Sequence, residues 1–310
     1  MTQAPYHAEI CNGPSGGYAL WRKASDGVRL RIGFWPLKGA KATVLIFTGR
    51  TEYIEKYAHV ALDLQAAGYT VASLDWRGQG LSDRLMDDPY RGHVGSFDDY
   101  QKDIDVLLAT LAEEGLPAPC ALIGHSMGGC IGLRALVNGL DVKGAVFSAP
   151  MWGIVMAPAL RPAAWALSRI AAQAGLGGTL APGTNKRSFI LSDPFENNTL
   201  TRDREMWAMM GAQIKAVPGL ELGGPSLDWV RLAMDECAAL MRTSTPNVPA
   251  LTFLGDGERI VEASAIHDKM STWPNGTLSI IKNGEHEAYM EVPETRARLA
   301  AETAAFLDSL

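Results

Sequence analysis

Two kinds of hydrophobic pattern divide the chain. Near the N-terminus apolar and polar residues alternate, at Tyr18-Ala-Leu-Trp-Arg and at Val28-Arg-Leu-Arg-Ile-Gly-Phe-Trp, with Ser25-Asp26-Gly27 between them. Alternation on either side of a turn signal predicts a β-hairpin with one face in solvent. Residues 1–17, carrying Gly, Pro and Asn, read as a poorly structured lead-in. From residue 43 the pattern changes to short continuous apolar runs, at 43–47, 69–75, 120–123 and 144–148, which predict strands buried on both faces. Between them, residues 52–67, 97–111 and 128–140 carry apolar positions at helical spacing. Strand–helix alternation of this kind predicts an α/β fold, a mostly parallel sheet with helices on both faces.

The alternation stops near residue 150. From 151 to 245 the patterns are those of helices and loops, and strands resume only with Pro249-Ala-Leu-Thr-Phe-Leu. A helix over 261–270, a strand over 277–281 and a closing helix over 294–310 follow. The chain therefore divides into one sheet domain, 1–150 and 246–310, interrupted by a helical insertion, 151–245.

One junction organises the rest. The apolar run ending at Ile123 stops at Gly124-His-Ser-Met-Gly, and a helix of small residues begins at once. A serine between strand and helix with glycine two positions either side is the nucleophile-elbow arrangement. The turn is so tight that a Cβ at either glycine would strike neighbouring backbone. It lifts the Ser126 hydroxyl above the sheet and aims the Met127 N–H, at the positive end of a helix, toward where an oxyanion would form.

Serine needs a base to take its proton, and the base needs an orienting carboxylate. With an elbow of this type both follow the serine in the chain, at strand ends. Of the six histidines only His267 and His286 come late enough. His267 sits inside a helical pattern, whereas His286, in Gly284-Glu-His-Glu, occupies the loop after the last strand. His286 is the expected base. For the acid, Asp256 and Glu258 both leave the strand end in Gly255-Asp-Gly-Glu-Arg-Ile-Val, and spacing does not separate them. The loop Thr48-Gly49-Arg50-Thr51 supplies the second oxyanion donor, with Gly49 turning the backbone and Arg50 offering its N–H.

Composition narrows the partners. A formal net charge of −6 argues against nucleic acid, whose phosphates need a basic face. The four cysteines, Cys11, Cys120, Cys130 and Cys237, lack metal-ligand spacing and read as reduced thiols, and neither a metal nor a cofactor is expected. The first residues show no basic patch or apolar core of a secretory signal, so a cytoplasmic location is expected. The longest apolar run, 151–160, is too short to span a bilayer.

With these pieces together, the chain resembles the α/β-hydrolase superfamily, and within it the lysophospholipase and monoacylglycerol-lipase-like serine hydrolases. The motifs are Gly124-His-Ser-Met-Gly-Gly, Asp75-Trp-Arg-Gly-Gln-Gly-Leu-Ser, His93-Val-Gly-Ser-Phe-Asp-Asp-Tyr, Gly255-Asp-Gly-Glu-Arg-Ile-Val and Gly284-Glu-His-Glu. The resemblance implies an α/β-hydrolase fold and Ser126, Glu258 and His286 as a catalytic triad, with Asp256 the alternative acid. It departs at Glu258, where aspartate is commoner, and at Thr-Gly-Arg, where many relatives carry His-Gly-x. It implies that the insertion is a cap over the site and that Asp75, Arg77 and Gly78 are architecture.

The insertion holds four of the eight tryptophans and seven of the twelve methionines. Residues of that kind suit a pliable apolar groove, so Met151, Trp152, Met206, Trp207 and Met210 are expected to line the acyl site. The expected reaction is hydrolysis of a small-molecule ester or lipid with an apolar acyl group, with peripheral membrane contact through the cap. Acyl transfer to an alcohol and opening of a lactone would use the same apparatus. A ligand-binding protein on a retired hydrolase core is the reading from a different class.

Overall fold

The computed structural model describes residues 2–156 and 161–310. Residues 157–160 of the apolar run, and the side chains of residues 161–164, lie outside the described residues. One nine-stranded sheet runs through the molecule in the order β1-β2-β3-β5-β4-β6-β7-β8-β9. Strands β4 (Thr43–Phe47), β5 (Thr70–Asp75), β6 (Pro119–His125), β7 (Gly144–Ser148), β8 (Ala250–Gly255) and β9 (Gly276–Ile281) are parallel. The hairpin β2 (Tyr18–Lys23) and β3 (Arg29–Trp35) adds antiparallel to β5.

Helices α1 (Ala58–Ala66) and α9 (Pro293–Asp308) pack on one face, where Val60, Leu64, Leu299 and Leu307 join one apolar core. On the other face α2 (Asp99–Glu113) and α3 (Met127–Val137) bury Ile104, Leu107 and Ile131 in a second core. The 16-residue α7 (Leu227–Arg242) joins that core through Ala233, Cys237 and Leu240. Between β7 and β8 the described residues form α4 (Arg161–Gln173), α5 (Phe189–Ser192), α6 (Arg204–Ala216) and α7, with only isolated bridges to other segments. The N-cap side chains of Asp203 and Ser226 accept the first free N–H groups of α6 and α7. Helix α8 (Ala263–Ser271) links β8 to β9.

Two expectations need correcting. The lead-in is not formless: Thr2–Ala4 form β1, paired with β2 at the sheet edge, a strand too short to show alternation. Strand β3 has no wet face beyond its first residue, because β2 and β5 flank it and both its faces are covered. Its polar Arg31 is fully buried, with Nε 2.7 Å from Asp75 Oδ2 and Nη1 2.7 Å from Glu55 Oε1. All four cysteines are free thiols. No helix among the described residues is long and apolar enough to cross a membrane.

Candidate active site

The residues that matter gather where the parallel strands end, the edge at which such sheets bind ligands. Ser126 joins β6 to α3 with φ 49° and ψ −118°, a strained backbone for a residue with a Cβ. Its backbone is held firmly: Ser126 N–H donates to Ser148 O, and Ser126 O accepts from Gly129, Cys130 and Met151. The flanking glycines are required by close approach. A Cβ at Gly124 would lie 2.9 Å from Gly128 O, and one at Gly128 would lie 2.0 Å from Phe47 O. That second contact seats the elbow against the end of β4, beside the loop expected to share oxyanion binding.

Residues 48–52 are pinned on several sides. Trp76 Nε1 donates to Thr48 O at 2.9 Å and Gln79 Nε2 to Gly49 O at 2.8 Å, while the Gly49 N–H donates to the Glu52 carboxylate. The Arg50 N–H is left without a protein acceptor among the described residues, as is that of Met127, an orphan of the first helical turn.

The acid and base meet because two loops touch. Gly257 N–H donates to Gly284 O at 2.9 Å, and a Cβ at Gly255 would lie 2.2 Å from that same oxygen. The contact brings Glu258 Oε2 to 2.7 Å from His286 Nδ1. The other carboxylate oxygen accepts from the Ile260 and Val261 N–H groups at 2.6 and 3.0 Å. Burial pushes the Glu258 carboxyl up, but the imidazole and the two backbone donors outweigh it and hold it below its ordinary range. Asp256 is exposed and makes no contact with the imidazole, and His267 lies exposed on α8.

Ser126, His125 and His286 line one cavity of about 410 Å³. The His125 and His286 rings are 4.8 Å apart, and His125 Nδ1 donates to Ser148 O at 3.0 Å. No hydrogen bond joins the Ser126 hydroxyl to His286 here; in ligand-free sites such bonds are often long and tighten with substrate.

Beneath the site lies a buried ionic cluster that the sequence did not reveal. Glu52, His125 and Glu287 each place one ligand atom within 4.8 Å of the others, a spacing that a metal ion could use. Lys56 Nζ, however, is 2.7 Å from both Glu52 Oε1 and Glu287 Oε2, so the cation there is the protein's own. Burial pushes the His125 imidazole down to about 4, against the opposing pull of Glu52 and with help from His286 and Lys56. Its folded pKa lies below the unfolded value of about 6.5. As pH falls below about 6.5 the unfolded chain takes up the proton first, and stability drops until His125 itself titrates near 4. A shift of this size corresponds to roughly 3 kcal/mol. Denaturant unfolding at pH 6.5 and pH 4.5 should show His125→Asn losing less stability than wild type. Equal losses would remove His125 as the cause.

The expected substrate wall needs revision. Met151 lines the Ser126 cavity, but Trp152, Met206, Trp207 and Met210 do not. Trp152 is fully buried, stacked on Trp273 with ring centroids 5.9 Å apart, and borders a separate cavity. Met206 and Met210 face inward from α6, and Trp207 packs edge-on against Phe189 and Phe195. The apolar lining comes instead from Ile154, Leu222, Trp229, Ile260 and Val261, with Phe189 and Ile190 of α5.

With this geometry in hand, comparison with known proteins is decisive. The family described as serine aminopeptidase, S33, matches residues 38–293. The chain belongs to this family. Lysophospholipase L2 of Escherichia coli K12 is 32% identical over 269 residues, 82% of this chain and 76% of that one. A monoacylglycerol lipase of Mycolicibacterium smegmatis is 27% identical over 240 residues, 76% and 77% of the two chains. Among solved structures, a soluble variant of monoglyceride lipase from Saccharomyces cerevisiae superposes with TM-score 0.73 at 19% identity, covering 99% of each chain. A carboxyl esterase of Bacillus coagulans gives 0.75 at 15% identity over 96% and 99%. The S33 member described here is thus a serine hydrolase with the α/β-hydrolase fold.

Proposed function

We propose that this chain hydrolyses carboxylic esters carrying an apolar acyl group, through an acyl-enzyme on Ser126. The observation that carries the reading is the 2.7 Å bond between His286 Nδ1 and Glu258, on a cavity that Ser126 shares. Glu258 fixes the tautomer with the proton on Nδ1, which leaves Nε2 free to accept the Ser126 proton. Ser126 Oγ attacks the carbonyl carbon, and the Met127 and Arg50 N–H groups receive the developing oxyanion. His286 returns the proton to the leaving alcohol, and water then clears the acyl-enzyme by the same route. The names of the lysophospholipase and monoacylglycerol lipase relatives agree with this substrate class.

The acyl chain lies against Met151, Ile154, Ile260 and Val261, beneath a cap formed by the helices between β7 and β8. Rates on p-nitrophenyl esters should rise from acetyl to longer acyl chains. A sharp preference for acetyl would contradict the apolar groove, and no turnover of any ester would contradict the reaction.

The cap also touches lipid surfaces. Six of its large apolar side chains stand in solvent, Val155, Trp165, Leu167, Ile170, Leu176 and Phe189, with Ile170 63% exposed. Exposed large apolar side chains concentrated in one insertion suit contact with an apolar surface. Paired Ile170→Glu and Leu176→Glu changes should release the protein from phospholipid vesicles in a sedimentation assay while soluble esters are still cleaved. Undiminished sedimentation would remove the cap as the contact.

A further inference from the structure

The Arg50 side chain is left over by the mechanism, which uses only that residue's N–H. The arginines buried deepest in the sheet domain are neutralised, Arg31 by Asp75 and Glu55 and Arg77 by Asp103 and Asp26. Arg84, away from the Ser126 cavity, donates instead to the carbonyl oxygens of Gly219 and Glu221. Arg187, which shares the cavity wall with Arg50, is held by two 2.6 Å bonds to Glu221. Arg50 has no carboxylate partner among the described residues. Its Nη2 donates to Gly223 O, its Cζ lies 5.2 Å from the Trp229 ring centroid, and its Nε is buried with no acceptor. Burial pushes the guanidinium down to about 10, so it remains a cation at neutral pH. Arg50 is half-buried overall, and a partly desolvated charge with an unpaired donor is costly to keep unless something arrives to meet it.

The position says what arrives. Arg50 stands in the wall of the Ser126 cavity beside Gly223, and a Cβ at Gly92 would lie 2.7 Å from its Nη2. Around it the lining mixes polar Thr184, Asn185 and Gly224 with Leu222 and Trp229, whereas Met151, Ile154 and Val261 are wholly apolar, the last two joined by a bridge. The acyl chain belongs with the apolar group, which leaves the alcohol half of the ester facing Arg50. Resting on the esterase reading above, we propose that Arg50 binds a phosphate on the alcohol half of the substrate, making phosphorylated glycerol esters of the lysophospholipid type preferred over neutral glycerides. Guanidinium is the side chain best matched to phosphate oxygens, through charge-assisted hydrogen bonds from a planar fork.

The test compares a 1-acylglycerol with the 1-acylglycerol 3-phosphate of the same short acyl chain, both below micelle formation. Wild type should favour the phosphate ester. Arg50→Gln should lower kcat/KM for the phosphate ester by about tenfold to a hundredfold more than for the neutral one, the range for hydrogen bonds to charged groups. Arg50→Lys should recover part of that difference. Equal losses on both esters would make the guanidinium a structural prop and overturn the proposal. Binding is read separately by thermal shift with glycerol 3-phosphate, inorganic phosphate and glycerol. Glycerol 3-phosphate should raise the Tm of wild type more than glycerol does, and Arg50→Gln should erase the difference. A shift by inorganic phosphate equal to that by glycerol 3-phosphate would assign the site to the free ion and overturn the head-group reading. Failure of wild type to cleave either ester would sink the esterase reading alone, because the thermal shifts still decide the phosphate site.

Discussion

Ser126→Ala should fold normally and lose ester turnover by about 10⁴-fold to 10⁶-fold. The fold survives because what secures residue 126 is its main chain, through Ser148, Gly129, Cys130 and Met151, and not its hydroxyl. Alanine can occupy the same strained turn, and the glycines at 124 and 128 still allow the close approach. What disappears is the hydroxyl proposed to attack. The residual rate comes from substrate binding and from the Met127 and Arg50 N–H groups, which the substitution leaves untouched. The check is kcat on a p-nitrophenyl ester beside the circular dichroism spectrum and Tm. A folded variant with turnover near wild type would show that another group is the nucleophile.

The second large effect separates the two acidic residues. Glu258→Gln keeps the shape and can still accept from Ile260 and Val261 through its amide oxygen. Its NH2 group then faces His286 Nδ1, which must present a lone pair to it. The imidazole proton moves to Nε2, where it can no longer accept from serine. The loss should be on the order of 10⁴ in kcat, the cost of the wrong tautomer in a triad of this kind. Asp256→Asn should stay close to wild type, since that carboxylate is exposed and touches nothing in the site. If Asp256→Asn proved the more damaging change, the 2.7 Å contact at Glu258 would not be the working one.

How much of this was legible in the sequence depends on the kind of constraint. The elbow was readable because sterics demand glycine at 124 and 128 whatever the surroundings. The parallel strands were readable because burial on both faces leaves continuous apolar runs. The choice between Asp256 and Glu258 was not decided by spacing, because both leave the same strand end; the motif resemblance favoured Glu258. In the structure the Gly255–Gly284 contact, made by residues far apart in the chain, brings that side chain to His286. Arg31 was hidden in the same way, since a charged residue in an alternating pattern reads as wet until its partners Asp75 and Glu55 are placed.

The substrate wall shows a different limit. Counting methionines and tryptophans in 151–245 located a region rich in soft apolar groups, but not which of its faces looks into the cavity. Helix α6 turns Met206 and Met210 inward, so the enrichment there serves packing. The lining residues Ile154 and Val261 belong instead to segments joined by an isolated bridge. Arg50 was valued only for its backbone, because nothing in Thr-Gly-Arg-Thr indicates that its guanidinium ends up without a carboxylate.

The central claim is that His286, oriented by Glu258, makes the Ser126 hydroxyl reactive. A fluorophosphonate probe reacts with a serine activated in this way, and the modified peptide can be read by mass spectrometry. The adduct is expected on Ser126 alone, formed rapidly by wild type and abolished in His286→Ala. Absence of labelling, labelling at another residue, or labelling undiminished by His286→Ala would contradict it.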